Sequence, residues 1–183
     1  MTIPNMMTLA RMALVPAFLI GVIYGWLHIA LVIFVVAAVT DALDGYLARC
    51  FHQESQLGLY LDPLADKLLS TVSYVSLAVI GLIPAWLTVV VVFKDLFIGL
   101  GIAIVFFTGR KPKVMPTLYG KGTTIVQVIT IGAALIWSVM GLDGSVLATL
   151  FKITGGMTVL SGGHYILQGF RQLDEGKKAV VSA

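Results

Sequence analysis

The chain has 183 residues, 58% of them hydrophobic and 11% charged, with a mean hydropathy of +0.99. These values exclude a water-soluble globular domain and indicate an integral membrane protein, and 12 Lys and Arg against 9 Asp and Glu leave a formal charge of +3. Cys50 is the only cysteine, so no disulfide can close within the chain, and no nucleic-acid partner is expected.

Six apolar stretches follow in chain order: Thr8–Leu27, Ile29–Thr40, Leu68–Ile83, Pro84–Phe107, Thr123–Met140 and Val146–Leu167. With its polar ends, each approaches the ~20 helical residues that cross ~30 Å of hydrocarbon. They predict a single all-α integral membrane domain over residues 1–183 with six transmembrane helices. Met1–Met7 reads as an interfacial segment leading into the first helix, and residues 171–183 as a cytoplasmic tail that frays from Lys177. No small-residue cleavage site follows the first stretch, and Arg11 sits inside it rather than ahead of it. It is therefore expected to stay in the mature chain.

The turns Tyr24–His28, Gly81–Pro84 and Gly141–Ser145 contain no Lys or Arg. Arg11, Arg49, Lys67, Arg110, Lys111, Lys113, Lys121, Arg171, Lys177 and Lys178 all map to the other side, which places both termini in the cytoplasm. The connection Thr108–Gly122, with Pro112, Pro116 and three glycines, reads as an ordered, turn-rich loop.

Against this apolar background Asp41, Asp44, Asp62 and Asp66 concentrate four of the nine acidic side chains in 26 residues. A carboxylate near hydrocarbon costs several kcal/mol unless it meets a cavity, a partner or a cation. If the second helix continues past Thr40, Asp41 and Asp44 share a face at i,i+3. Asp62 and Asp66 share one at i,i+4 at the start of the third helix, with Pro63 in its first turn. Four clustered carboxylates repel one another, and hard divalent cations, Mg²⁺ or Mn²⁺, relieve that repulsion. Two such cations about 3.5–4 Å apart suit phosphate-ester chemistry, so the six helices are expected to surround a polar, metal-binding cavity open to the cytoplasmic side. Gly45 and Gly58 open the backbone to a close approach, although either glycine alone also serves helix packing, and Arg49 supplies a fork of donors for a phosphate.

The run Asp41-x-x-Asp44-Gly45-x-x-Ala48-Arg49, eight residues, Gly58-x-x-x-Asp62-x-x-x-Asp66 resembles the motif of the CDP-alcohol phosphatidyltransferase family at every fixed position. The opening Ile3-Pro4-Asn5 with Arg11 and the six-helix length extend the resemblance over most of the chain. The resemblance implies a membrane enzyme, usually a homodimer, that moves a phosphatidyl group from CDP-diacylglycerol to an alcohol and releases CMP. It implies two divalent cations held by Asp41, Asp44, Asp62 and Asp66, with Asp66 also the base on the acceptor hydroxyl. Asp44, Gly45, Ala48, Arg49 and Gly58 would frame the CDP. A cation transporter is the rival reading of the acidic cluster, but it gives no reason for Gly45, Arg49 and Gly58 at fixed offsets.

Lys94 and Asp95 stand in the middle of the fourth stretch, where each needs a partner or a cavity. Adjacent helical residues point about 100° apart, so the two need not pair: Lys94 is expected to meet a substrate phosphate, with a structural pairing as the alternative, while Asp95 meets another helix. Lys94, Lys121 and Arg110 are the expected acceptor-phosphate contacts, and Lys152 can snorkel. Tyr74-Val75-Ser76-Leu77, Leu82-Ile83-Pro84, Lys94-Asp95, Pro116-Thr117 leading to Lys121, and Val126-Gln127 resemble cardiolipin synthases of this family more than phosphatidylglycerophosphate synthases. Ile102 stands at the spacing where the latter carry a second Arg. Phosphatidylglycerol is therefore the expected acceptor and glycerol 3-phosphate the alternative; Lys94 in place of the usual Arg gives up bidentate phosphate recognition.

Overall fold

The computed structural model describes residues 3–51, 58–107, 118–142 and 144–181, with side chains described over 9–41, 65–101, 120–142 and 144–165. The described residues form six helices: α1 (Ile3–Ile23), α2 (Leu27–Phe51), α3 (Gly58–Val79), α4 (Ala85–Phe107), α5 (Leu118–Met140) and α6 (Ser145–Val181). Among the described residues, Gly120–Met140 and Ser145–Tyr165 are long and apolar enough to cross a membrane.

Several boundaries differ from the sequence expectation. Ile3–Met7 already belongs to α1, with Pro4 in the first turn, where a missing N–H leaves no helical bond unmade. The third helix starts at Gly58, so Pro63 falls in its second turn rather than its first. α5 starts at Leu118, which places Lys121 on a helix rather than in a loop; residues 108–117, Arg110 among them, lie outside the described residues. The expected fraying from Lys177 is absent through Val181, because α6 continues that far.

Each short turn is closed by backbone chemistry. After α1 the Gly25 N–H donates to the Val22 carbonyl and the Trp26 N–H reaches back to Gly21, at 3.1 and 2.8 Å. After α3 the Gly81 N–H donates to Ala78 and the Leu82 N–H to Leu77, at 3.0 and 2.9 Å. Both are Schellman endings that need a left-handed residue, and Gly25 and Gly81 supply it at φ 72° and 79°.

α1 packs on α2 and α3, α2 on α5, α3 on α4, and both α4 and α5 on α6. The apolar core includes Phe18, Phe34, Tyr74, Leu77, Leu87, Ile131 and Leu135. Between α5 and α6 the seam is polar. Gln127 Nε2 donates to Thr158 Oγ1 at 3.0 Å and Thr130 and Thr154 share a hydroxyl bond at 2.7 Å, while from α3 the Tyr74 hydroxyl donates to the Gln127 carbonyl at 3.1 Å. The seam residues recur at helical spacing, so two stripes of polar groups face each other and hydrogen-bond across the contact. The outer surface is apolar as well: Val32, Val36, Val89, Phe93, Phe97, Ile129 and Leu160 are all exposed.

Candidate active site

The packing of α1 against both α2 and α3 brings three charged side chains to one place. Arg11, only 1% exposed, forms an ion pair with Asp41 at 2.5 Å, while the Asp41 side chain is 47% exposed. Arg11, Asp41 and Asp66 line one cavity of about 270 Å³, together with Ser70 of α3 and Thr124 of α5. Phe34, Ala37, Leu69, Val128 and Ile129 line it too, so the cavity is charged in one part and greasy in another. Asp66 lies within electrostatic reach of Asp41, Lys67, Arg11 and Asp95. The structure thus brings together the first and last of the four aspartates on which the sequence argument rested, from two different helices.

α2 is continuous through Asp41, Asp44, Gly45, Ala48 and Arg49, as the shared-face argument required, so Asp44 lies one turn beyond Asp41 on the backbone. Asp62 lies one turn before Asp66 within α3, and Gly58 is the first residue of that helix. The side chains at 42–64 lie outside the described residues. Among the described residues no three His, Cys, Asp or Glu converge.

A second charged group joins α3 to α4. Asp95 Oδ1 accepts from Lys67 Nζ at 3.0 Å and pairs with Lys94 Nζ at 3.1 Å. The expectation that Asp95 meets another helix is met by Lys67, and Lys94 makes the structural pairing that stood as the alternative to a substrate role. The long lysine stem bends back onto its neighbour because a buried ammonium has no water to turn to. Lys121 is exposed on the first turn of α5, one turn before Thr124 of the cavity wall.

Two residues were not singled out as site candidates in the sequence. In the sequence Arg11 serves the topology and the resemblance but not the site, although an arginine inside an apolar run is itself a sign of a fixed partner. Lys67 marks topology alone there, and its position next to Asp66 is its one signal.

The family model described as CDP-alcohol phosphatidyltransferase matches residues 1–160. The chain belongs to this family, whose members are transferases. It is 36% identical to a probable CMP-forming cardiolipin synthase of Drosophila melanogaster, over 91% of this chain and 57% of the fly protein. It is 35% identical to the human CMP-forming cardiolipin synthase, over 92% of this chain and 62% of that protein. It is also 34% identical to the CDP-diacylglycerol–glycerol-3-phosphate 3-phosphatidyltransferase of Bacillus subtilis, over 73% of this chain and 76% of that protein. The chain thus spans less than two thirds of the two animal relatives.

Proposed function

We propose that this chain is a multi-pass membrane enzyme that transfers a phosphatidyl group from CDP-diacylglycerol to phosphatidylglycerol, releasing CMP and forming cardiolipin. It crosses the membrane six times, works as a homodimer, and opens its polar cavity to the cytoplasm. The observation that carries this reading is the meeting of Asp41, Asp66 and Arg11 on one cavity that also has an apolar wall. A lipid-linked diphosphate has the same two-part character, a charged head joined to hydrocarbon. The exposed apolar side chains along the helices support the membrane setting, since a soluble surface would not sustain them.

The donor chemistry fits divalent cations: carboxylates from two helices share the cavity, and each helix carries a further aspartate one turn away. Asp41, Asp44, Asp62 and Asp66 would hold two Mg²⁺ or Mn²⁺ ions. Bound there, such ions neutralise a diphosphate and stabilise charge developing on the leaving phosphate. Arg11 holds Asp41 in one orientation through the ion pair. Asp66 accepts the proton of the attacking hydroxyl, and Asp44, Gly45, Ala48, Arg49 and Gly58 frame the CDP, with Arg49 offering its fork to the departing CMP. Lys94, Lys121 and Arg110 contact the acceptor phosphate.

Glycerol 3-phosphate is the alternative acceptor, favoured by the similarity to the Bacillus subtilis enzyme. Purified protein given CDP-diacylglycerol and each acceptor in turn separates the two. Cardiolipin formation with phosphatidylglycerol is expected, and product only with glycerol 3-phosphate would sink the first reading. CMP release should stop with chelator and return with Mg²⁺ or Mn²⁺. Asp66→Asn should abolish it, and an Asp66→Asn protein that still releases CMP at the native rate would remove Asp66 as the base.

A further inference from the structure

Arg11 enters the cavity from α1, whereas Asp41 and Asp66 come from α2 and α3. We infer that Arg11 is a positioning residue that acts as a built-in counter-cation: it holds the two carboxylates together before a divalent ion binds, and it opposes that ion once it arrives. The inference rests on the metal-dependent reading above and adds to it a determinant of metal affinity.

Burial fixes the guanidinium in its place. Arg11 is 1% exposed, and an arginine cut off from water keeps its charge, so it needs an anion beside it. Asp41 supplies one through the ion pair, and Asp66 lies within electrostatic reach of both Arg11 and Asp41. Two carboxylates brought together from different helices repel one another, and a positive charge close to both lowers that repulsion. The apolar wall of Phe34, Leu69 and Val128 weakens solvent screening on its side of the cavity, which strengthens each of these interactions.

A divalent ion at Asp41 meets the same guanidinium. The pair engages Oδ1 of Asp41, so the ion either takes the other oxygen beside a fixed positive charge or displaces an arginine that has no water to turn to. Both arrangements weaken the attraction between Arg11 and Asp41, by sharing the carboxylate or by breaking the pair. A contact that is stronger in the metal-free form than in the metal-bound form lowers metal affinity by the same ratio. Arg11 therefore stabilises the fold without metal and loosens the metal itself, two effects of one contact. A residue that only aimed Asp41 at the ion would act with the opposite sign, since its loss would weaken metal binding.

The test counts free Mn²⁺ by its electron paramagnetic resonance signal during titration into wild type, Arg11→Gln, Arg11→Lys and Asp41→Asn in nonionic micelles without lipid substrate. Arg11→Gln keeps a donor for Asp41 and drops the charge. It should bind Mn²⁺ about tenfold more tightly than wild type, while Arg11→Lys stays within about threefold. Thermal unfolding should place Arg11→Gln below wild type in chelator and closer to it in saturating Mn²⁺, so the metal raises its midpoint by more. Preparing Arg11→Gln in Mn²⁺ guards against loss of the metal-free form. Equal or weaker Mn²⁺ binding in Arg11→Gln overturns the inference, as does an equally large change in Arg11→Lys, or an Arg11→Gln protein that stays unfolded in saturating Mn²⁺. Wild type that binds no Mn²⁺, or that binds it no better than Asp41→Asn, overturns instead the metal site beneath it.

Discussion

Replacing Arg11 with Met removes the guanidinium from Asp41 while keeping much of the side-chain stem that packs beneath it. Removing one member of a fully buried ion pair costs about 3–5 kcal/mol, because the survivor is stranded. Here the survivor is Asp41, whose side chain is 47% exposed, so water takes over much of the lost partner's role. The expected loss is therefore about 2 kcal/mol, within the range for a hydrogen bond to a charged group. A cycle of Arg11→Met, Asp41→Asn and the double variant, unfolded by denaturant in mixed micelles with chelator present, isolates the pair from any divalent cation. The coupling energy should reach about 1–2 kcal/mol, and a value below about 0.3 kcal/mol would refute the pairing as a structural element. Added Mg²⁺ should then stabilise wild type and Arg11→Met but not Asp41→Asn, since a ligand of the folded state stabilises only where its site survives.

Tyr74→Phe deletes the 3.1 Å hydroxyl bond to the Gln127 carbonyl without changing the shape of the core. It should cost about 0.5–1 kcal/mol in the same unfolding assay, and no loss would mean that the α3–α5 contact rests on packing alone. Gly162→Ala places a methyl 3.3 Å from Lys94 Cγ, so the lysine must retreat by a few tenths of an ångström. A displacement of that size at an acceptor contact should raise acceptor KM about threefold while KM for CDP-diacylglycerol holds. Equal changes in both would assign Gly162 to helix packing instead.

Much of the site's outline could be read directly from the chain. The i,i+3 and i,i+4 spacings of the aspartates say which residues share a helix face, because a helix repeats locally every 3.6 residues. The glycines at 25 and 81 mark where helices must end, since their left-handed backbone is a local requirement too. Helix ends were less legible. Pro4 and the polar residues of α6 read as breaks, yet a first-turn proline and a long polar helix both satisfy their own backbone hydrogen bonds.

Which face of one helix meets which face of another is not a local property. Thirty residues separate Arg11 from Asp41, and both were already visible as misplaced charges in apolar runs. Only the packing of α1 on α2 and α3 makes them a pair on the wall of a cavity with Asp66. In the same way the sequence alone could set Lys94 and Asp95 side by side without saying that Lys67, 28 residues earlier, would share the carboxylate. Local spacing determined the aspartate faces and the motif that places the chain in its family. The choice of counter-charge for each buried ion was left to tertiary structure, because a stranded charge takes whatever partner the packed helices bring within reach.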